Sequence, residues 1–134
     1  MTSSYRRSFV WLAAIGLLTA AAPHAAVPHS SMHLSLVKAE PAINGSVTAA
    51  PHTIRLFYSQ EPQVQGTSIH LLTSAKKEVA LEATKADEKD KKIISADLKE
   101  HIGTGTYTVS WRAMSKDGHV LKDTFTFSVK NAEK

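Results

Sequence analysis

From Gly105 the chain reads as one long strand that ends abruptly in a polar turn. Tyr107, Val109, Trp111 and Ala113 fall on one side, and Thr108, Ser110 and Arg112 on the other. That period of two places large apolar groups on one face of a sheet and polar groups on the opposite face. The alternation stops at Ser115-Lys116-Asp117-Gly118-His119. Asp favours turn starts and Gly takes positive φ at little cost, so this is a tight turn. A chain containing such a strand must build a second apolar layer to cover it.

Other segments supply that layer. Leu34–Val37 reads as a first strand, and Pro41 with Asn44-Gly45 turns the chain away from it. Thr53–Tyr58 is a second strand with Ile54, Leu56 and Tyr58 on one face, and residues 59–66 (SQEPQVQG) form a loop. Ser68–Thr73 is a third strand. Glu78–Ala83 alternates strictly and reads as a fourth, joined to the third by a short hairpin connection. Residues 85–92 (KADEKDKK) mix both signs of charge and read as a solvated loop. Lys92–Leu98 is a strand, His101–Gly105 a Gly-rich turn, and Asp123–Val129 a closing strand with Phe125, Phe127 and Val129 inward. About seven short strands, with turn signals between them and no amphipathic helix, predict an all-β antiparallel Greek-key β-sandwich or barrel.

The N-terminus has a different character. Arg6 and Arg7 precede an apolar run from Phe9 to Ala22, and Ala25-Ala26 offers small residues for cleavage. The run is short of the ~20 apolar residues that span a bilayer. Residues 1–26 are therefore expected to be a signal peptide, and residues 27–134 the exported domain. Removing the leader takes away two arginines and no acid, which lowers the formal net charge of +4. No basic field for nucleic acid remains. The chain has no cysteine. An exported domain without disulfides depends on its core, and any metal must be held by His, carboxylate, Met or backbone groups.

Asp117 and His119 place a carboxylate and an imidazole on one short turn, where both can reach a common ion, and imidazole suits Cu(II). Taken alone, the same triplet reads as an ordinary exposed turn. A hydrolase is disfavoured, because no nucleophile elbow or oxyanion motif accompanies Ser110, Ser115, Asp117 and His119.

Four stretches together resemble the CopC/PcoC copper-resistance proteins. They are His33-Leu34 through Pro41-Ala42 to Gly45, the segment Leu56-Phe57-Tyr58-Ser59-Gln60-Glu61-Pro62, the block Gly105–His119, and Phe125–Val129. The block is the specific part. The resemblance implies a small periplasmic β-barrel of Ig-like or cupredoxin-like topology that binds one Cu(II) ion. It implies a non-enzymatic carrier or buffer in copper tolerance and homeostasis. Carried over residue by residue, the implied ligands are His33, Asp117 and His119. The implied partners are the copper ion and an inner-membrane copper transporter. The exported chain is expected to be a monomer free of the membrane and of nucleic acid.

The chain departs from that pattern twice. In the family the first histidine also ligates through the α-amino group, whereas cleavage after Ala26 leaves His33 inside the mature chain. The expected consequence is weaker Cu(II) binding than in members that start with His, with His29 or water as an auxiliary donor. Met1, Met32 and Met114 are the only methionines, so a thioether Cu(I) site is not supported. Two other readings stand beside copper carriage: a metal-free Ig-like accessory domain, and a histidine-brace copper oxygenase, which needs His at the mature N-terminus. No role is expected for His52, His70 or His101.

Overall fold

The structure is a computed structural model and describes residues 33–131. The expected signal peptide and His29 lie outside those residues. Among the described residues nine strands run in chain order: β1 (Leu36–Glu40), β2 (Ser46–Val47), β3 (Thr53–Tyr58), β4 (Ser68–Thr73), β5 (Glu78–Val79), β6 (Lys85–Ala86), β7 (Ile93–Asp97), β8 (Gly105–Met114) and β9 (Val120–Val129). A single 3-10 turn, Val64–Gly66, lies between β3 and β4. One sheet has the order β1-β3-β7-β6 and the other β2-β9-β8-β4-β5. The two sheets enclose one core and make an all-β sandwich, as the alternation predicts.

The long hairpin β8–β9 forms the backbone of the larger sheet, paired without a break from Gly105↔Val129 to Met114↔Val120. Tyr107, Val109, Trp111 and Ala113 are buried, and so are Phe125, Phe127 and Val129. From the facing sheet come Ile54, Leu56, Tyr58, Ile94 and Ala96. Each fully buried aliphatic or aromatic side chain here is worth roughly 1.5–3 kcal/mol of burial. Tyr107 stacks on Phe127, with ring centroids 5.7 Å apart, and Tyr58 meets Trp111 edge to face at 5.8 Å. The Tyr58 hydroxyl is buried without a hydrogen-bond partner among the described residues, and its burial pushes its pKa up.

Several boundaries differ from expectation. The first strand begins at Leu36 rather than Leu34, because Leu34 turns into the core and is buried ahead of the ladder. Its register with β3 shifts between Leu36 and Lys38, which leaves Val37 on the surface. The expected strand Glu78–Ala83 is divided between the sheets. Glu78 and Val79 pair with β4, whereas Leu81 bridges to Leu98 and the Glu82 amide donates to the Asp97 carbonyl. The charged stretch after it is not wholly loop, since Lys85–Ala86 adds an edge strand to β7. The closing strand starts at Val120, three residues earlier than expected. Ser46–Val47 is a short strand that runs parallel to the end of β9, the one parallel pairing among the described residues. Asn44, at φ 55°, supplies the positive-φ turn that aims this segment at β9, and its amide donates to the Thr126 carbonyl at 2.7 Å.

Candidate metal site at the end of the β8–β9 hairpin

Ser115 to His119 closes the hairpin. The Ser115 amide donates to the His119 carbonyl at 2.9 Å, and the Gly118 amide returns to the Ser115 carbonyl at 3.0 Å. Gly118 sits at φ +87°, a conformation that a residue with a Cβ adopts only with strain. This turn aims Asp117 and His119 the same way, so His119 Nδ1 lies 2.7 Å from Asp117 Oδ2. The Ser115 hydroxyl donates to the other carboxylate oxygen, Asp117 Oδ1.

Those two bonds, Ser115 first and His119 second, hold the Asp117 carboxyl down at about 2. A depressed carboxyl favours the structured turn above the ordinary carboxylate range, and this preference is lost only as pH falls through about 2. His119 is 80% exposed and Asp117 65%, so the pair itself contributes little to folding. The arrangement instead fixes the ring. With Nδ1 facing a carboxylate, Nε2 is left outward as the free donor. A metal-binding histidine commonly orients its second nitrogen in this way.

A second segment braces the turn. The backbone amide of Gln63 donates to the Met114 carbonyl at 2.8 Å, and its side-chain amide donates to the Ser115 carbonyl at 2.9 Å. Lys116 reaches Glu61 at 3.2 Å. Arg112 donates to the Gly66 carbonyl. A Cβ on Gly66 would sit 2.6 Å from the Met114 Cβ, so only glycine lets the 59–66 loop press this closely on the end of β8.

The same loop anchors the N-terminal lead. The Ser59 hydroxyl donates to the His33 carbonyl at 3.1 Å and accepts the Ser35 amide at 2.9 Å, while the Ser59 amide donates to the Ser35 carbonyl. Buried Leu34 holds the lead from below. His33 is therefore an exposed side chain on a pinned backbone. His33, Gln60, Asp117 and His119 all line one open hollow of about 560 Å³, together with Leu34 and Leu121. No group of three or more His, Asp or Glu side chains among the described residues already stands at metal-holding distance, so side chains must rotate to close on an ion.

Residues 36–130 match the family model described as the CopC domain. The chain belongs to the CopC family. It is 39% identical over 99 residues to Protein YobA of Escherichia coli (strain K12), covering 73% of this chain and 79% of that one. It is 34% identical over 130 residues to copper resistance protein C of Pseudomonas syringae pv. tomato, covering 93% and 97%. The crystal structure of CopC from Methylosinus trichosporium OB3b superimposes with a TM-score of 0.69 at 28% identity, covering 76% of this chain and 98% of that one.

Ser59, Gln63 and Ser115 had no role in the residue pattern of this CopC chain. Ser59 lies in the Leu56–Pro62 segment, Gln63 just after it and Ser115 in the turn, and their bonds to other segments leave no periodic trace. Ser59→Ala should cost about 1 kcal/mol of stability, the usual worth of such hydrogen bonds. Thermal melting of the variant measures the loss.

Proposed function

We propose that this CopC-family protein binds one Cu(II) ion in the hollow between its N-terminal lead and the β8–β9 turn. His33 and His119 supply imidazoles, and Asp117 either completes the donor set or orients His119. The observation that carries this reading is the shared hollow: a histidine before the first strand and the Asp-Gly-His turn near the chain's end line the same space. The copper resistance protein C of Pseudomonas syringae, similar along nearly its whole length, supports the choice of metal. Cu(II) favours N and O donors in a tetragonal set, and the described residues that line the hollow include no sulfur ligand.

The protein acts as a copper carrier or buffer rather than as an enzyme. It is exported to the periplasm by its leader and hands copper to, or withholds it from, an inner-membrane transporter. The site's exposure favours exchange, since an ion held at an open edge can leave without unfolding the sandwich. No helix among the described residues is long and apolar enough to cross a membrane.

Cu(II) titration of the exported protein, followed by electron paramagnetic resonance, tests the reading against His33→Ala, Asp117→Ala and His119→Ala. Each substitution should alter the spectrum. Three unchanged spectra would refute the site.

Affinity should also fall steeply as pH drops from about 7 to 5, because a ligating imidazole must be neutral and protons compete with the ion for it. Asp117 remains a carboxylate throughout that range, so it contributes none of the loss. A flat pH profile would exclude histidine ligation.

A further inference from the structure

The molecule carries a second pair of convergent imidazoles, far from the hollow. His52 immediately precedes β3, and its carbonyl accepts the Leu98 amide at 2.8 Å, which fixes it to the end of β7. His101 follows the turn after β7, where the Lys99 amide is tied to the Ala80 carbonyl. Two separate elements thus bring the rings together, with centroids 5.2 Å apart and planes at 76°. Both residues are exposed. His70 and His119 have their Nδ1 atoms against Glu78 and Asp117. Neither ring of the His52–His101 pair makes a side-chain hydrogen bond among the described residues, which leaves their nitrogens free.

The separation fits one shared ion. With a metal–nitrogen bond of about 2.0 Å, each ring centroid lies about 3 Å from the ion, so rings at right-angle to tetrahedral bond angles have centroids about 4.4–5.1 Å apart. The observed spacing needs only side-chain rotation to reach that range. The adjoining hollow contains His101, Glu78 and Glu100, with Lys77 also on its rim. Glu78 is already engaged by His70, so Glu100 stands against Lys77 and the charge of the neighbourhood is close to balanced.

We propose that His52 and His101 form a second, weaker Cu(II) site, completed by water. Copper(II) stands at the top of the affinity order for imidazole among divalent first-row metals. Two protein ligands without a third carboxylate or imidazole in place make a labile site. Its position makes it independent of the first. His52 and His101 precede β3 and β8, whereas Ser59 and the Asp-Gly-His turn follow them. A six-residue strand such as β3 spans about 20 Å, so the two sites lie at opposite ends of the sandwich.

The experiment is Cu(II) titration of the exported protein by calorimetry and electron paramagnetic resonance. Wild type should take two equivalents, the second at least about tenfold weaker. His52→Ala and His101→Ala should each remove the second equivalent and leave the first unchanged, while His119→Ala should do the reverse. Both residues are exposed, so their alanine variants should melt as wild type does. A wild type that binds a single equivalent overturns the proposal. So does a second equivalent that survives both His52→Ala and His101→Ala. Loss of the first equivalent alone bears on the hairpin site and leaves this pair standing.

Discussion

His119→Ala should lower Cu(II) affinity by more than about 100-fold, with little change in melting temperature. Removing the partner that orients a metal-binding histidine typically costs 10–100-fold, and removing the ligand itself costs more. Stability is spared because the ring is 80% exposed and packs against nothing in the core. Asp117→Asn separates the two possible roles of the carboxylate. An amide can still hydrogen-bond Nδ1 but carries no charge. If Asp117 only orients the ring, Asp117→Asn should weaken binding by about tenfold, within the range for outer partners, and keep the nitrogen pattern of the spectrum. If it binds the ion directly, the substitution should approach the His119→Ala loss. Competition titration against a chelator of known affinity measures both. A His119→Ala protein that binds copper as wild type does would place the ion elsewhere.

The strand half of the Gly105–His119 stretch was legible residue by residue, because one face of β8 meets the core along its whole length and a period of two leaves no ambiguity. The turn half was legible for a different reason. Asp, Gly and His have few ways to sit in a five-residue connection, and Gly118 takes the positive φ that this turn demands. The sequence was less informative where a segment's pairing is decided by distant partners. Glu78–Ala83 alternates perfectly, yet its first half joins one sheet and its second half the other. Local alternation reports which side chains are buried and says nothing about which neighbour supplies the ladder. Lys85–Ala86 sits in a run of charge and still pairs, since an edge strand can keep its charged side chains in solvent.

The placement of the candidate residues was only partly legible. The Asp-Gly-His turn alone reads as an ordinary turn, and the Gly105–His119 block around it is what points to a metal. His33 was named by the resemblance alone, and its position beside the turn comes from the Ser59 bond to its carbonyl and from buried Leu34. Neither contact leaves a periodic trace. His52 and His101 were passed over for the same reason: each is an isolated histidine in a turn, and only tertiary packing makes them neighbours.

The largest effect on folding is expected at Phe127, in the core between the sheets. Phe127 is 1% exposed and among the largest fully buried side chains. It stacks on Tyr107 across the β8–β9 pair. Phe127→Ala should destabilise the domain by about 3–5 kcal/mol, the sum of lost transfer energy and the cavity left where a ring cannot be replaced by local collapse. For a domain of this size that corresponds to a fall in melting temperature of roughly 15–30 °C. A typical single domain has only about 5–15 kcal/mol in hand. This chain has no cysteine to supplement its core, so the variant should lie near the limit of folding at growth temperature. Urea unfolding by fluorescence measures the loss. Copper should recover part of it, because an ion that binds only the folded state stabilises that state by mass action. Phe127→Leu keeps most of the apolar volume and should retain more than half of the lost stability. If Phe127→Ala costs less than about 1 kcal/mol, the two sheets can close over the missing ring, and the rigid platform beneath the Asp-Gly-His turn is not set by this layer of the core.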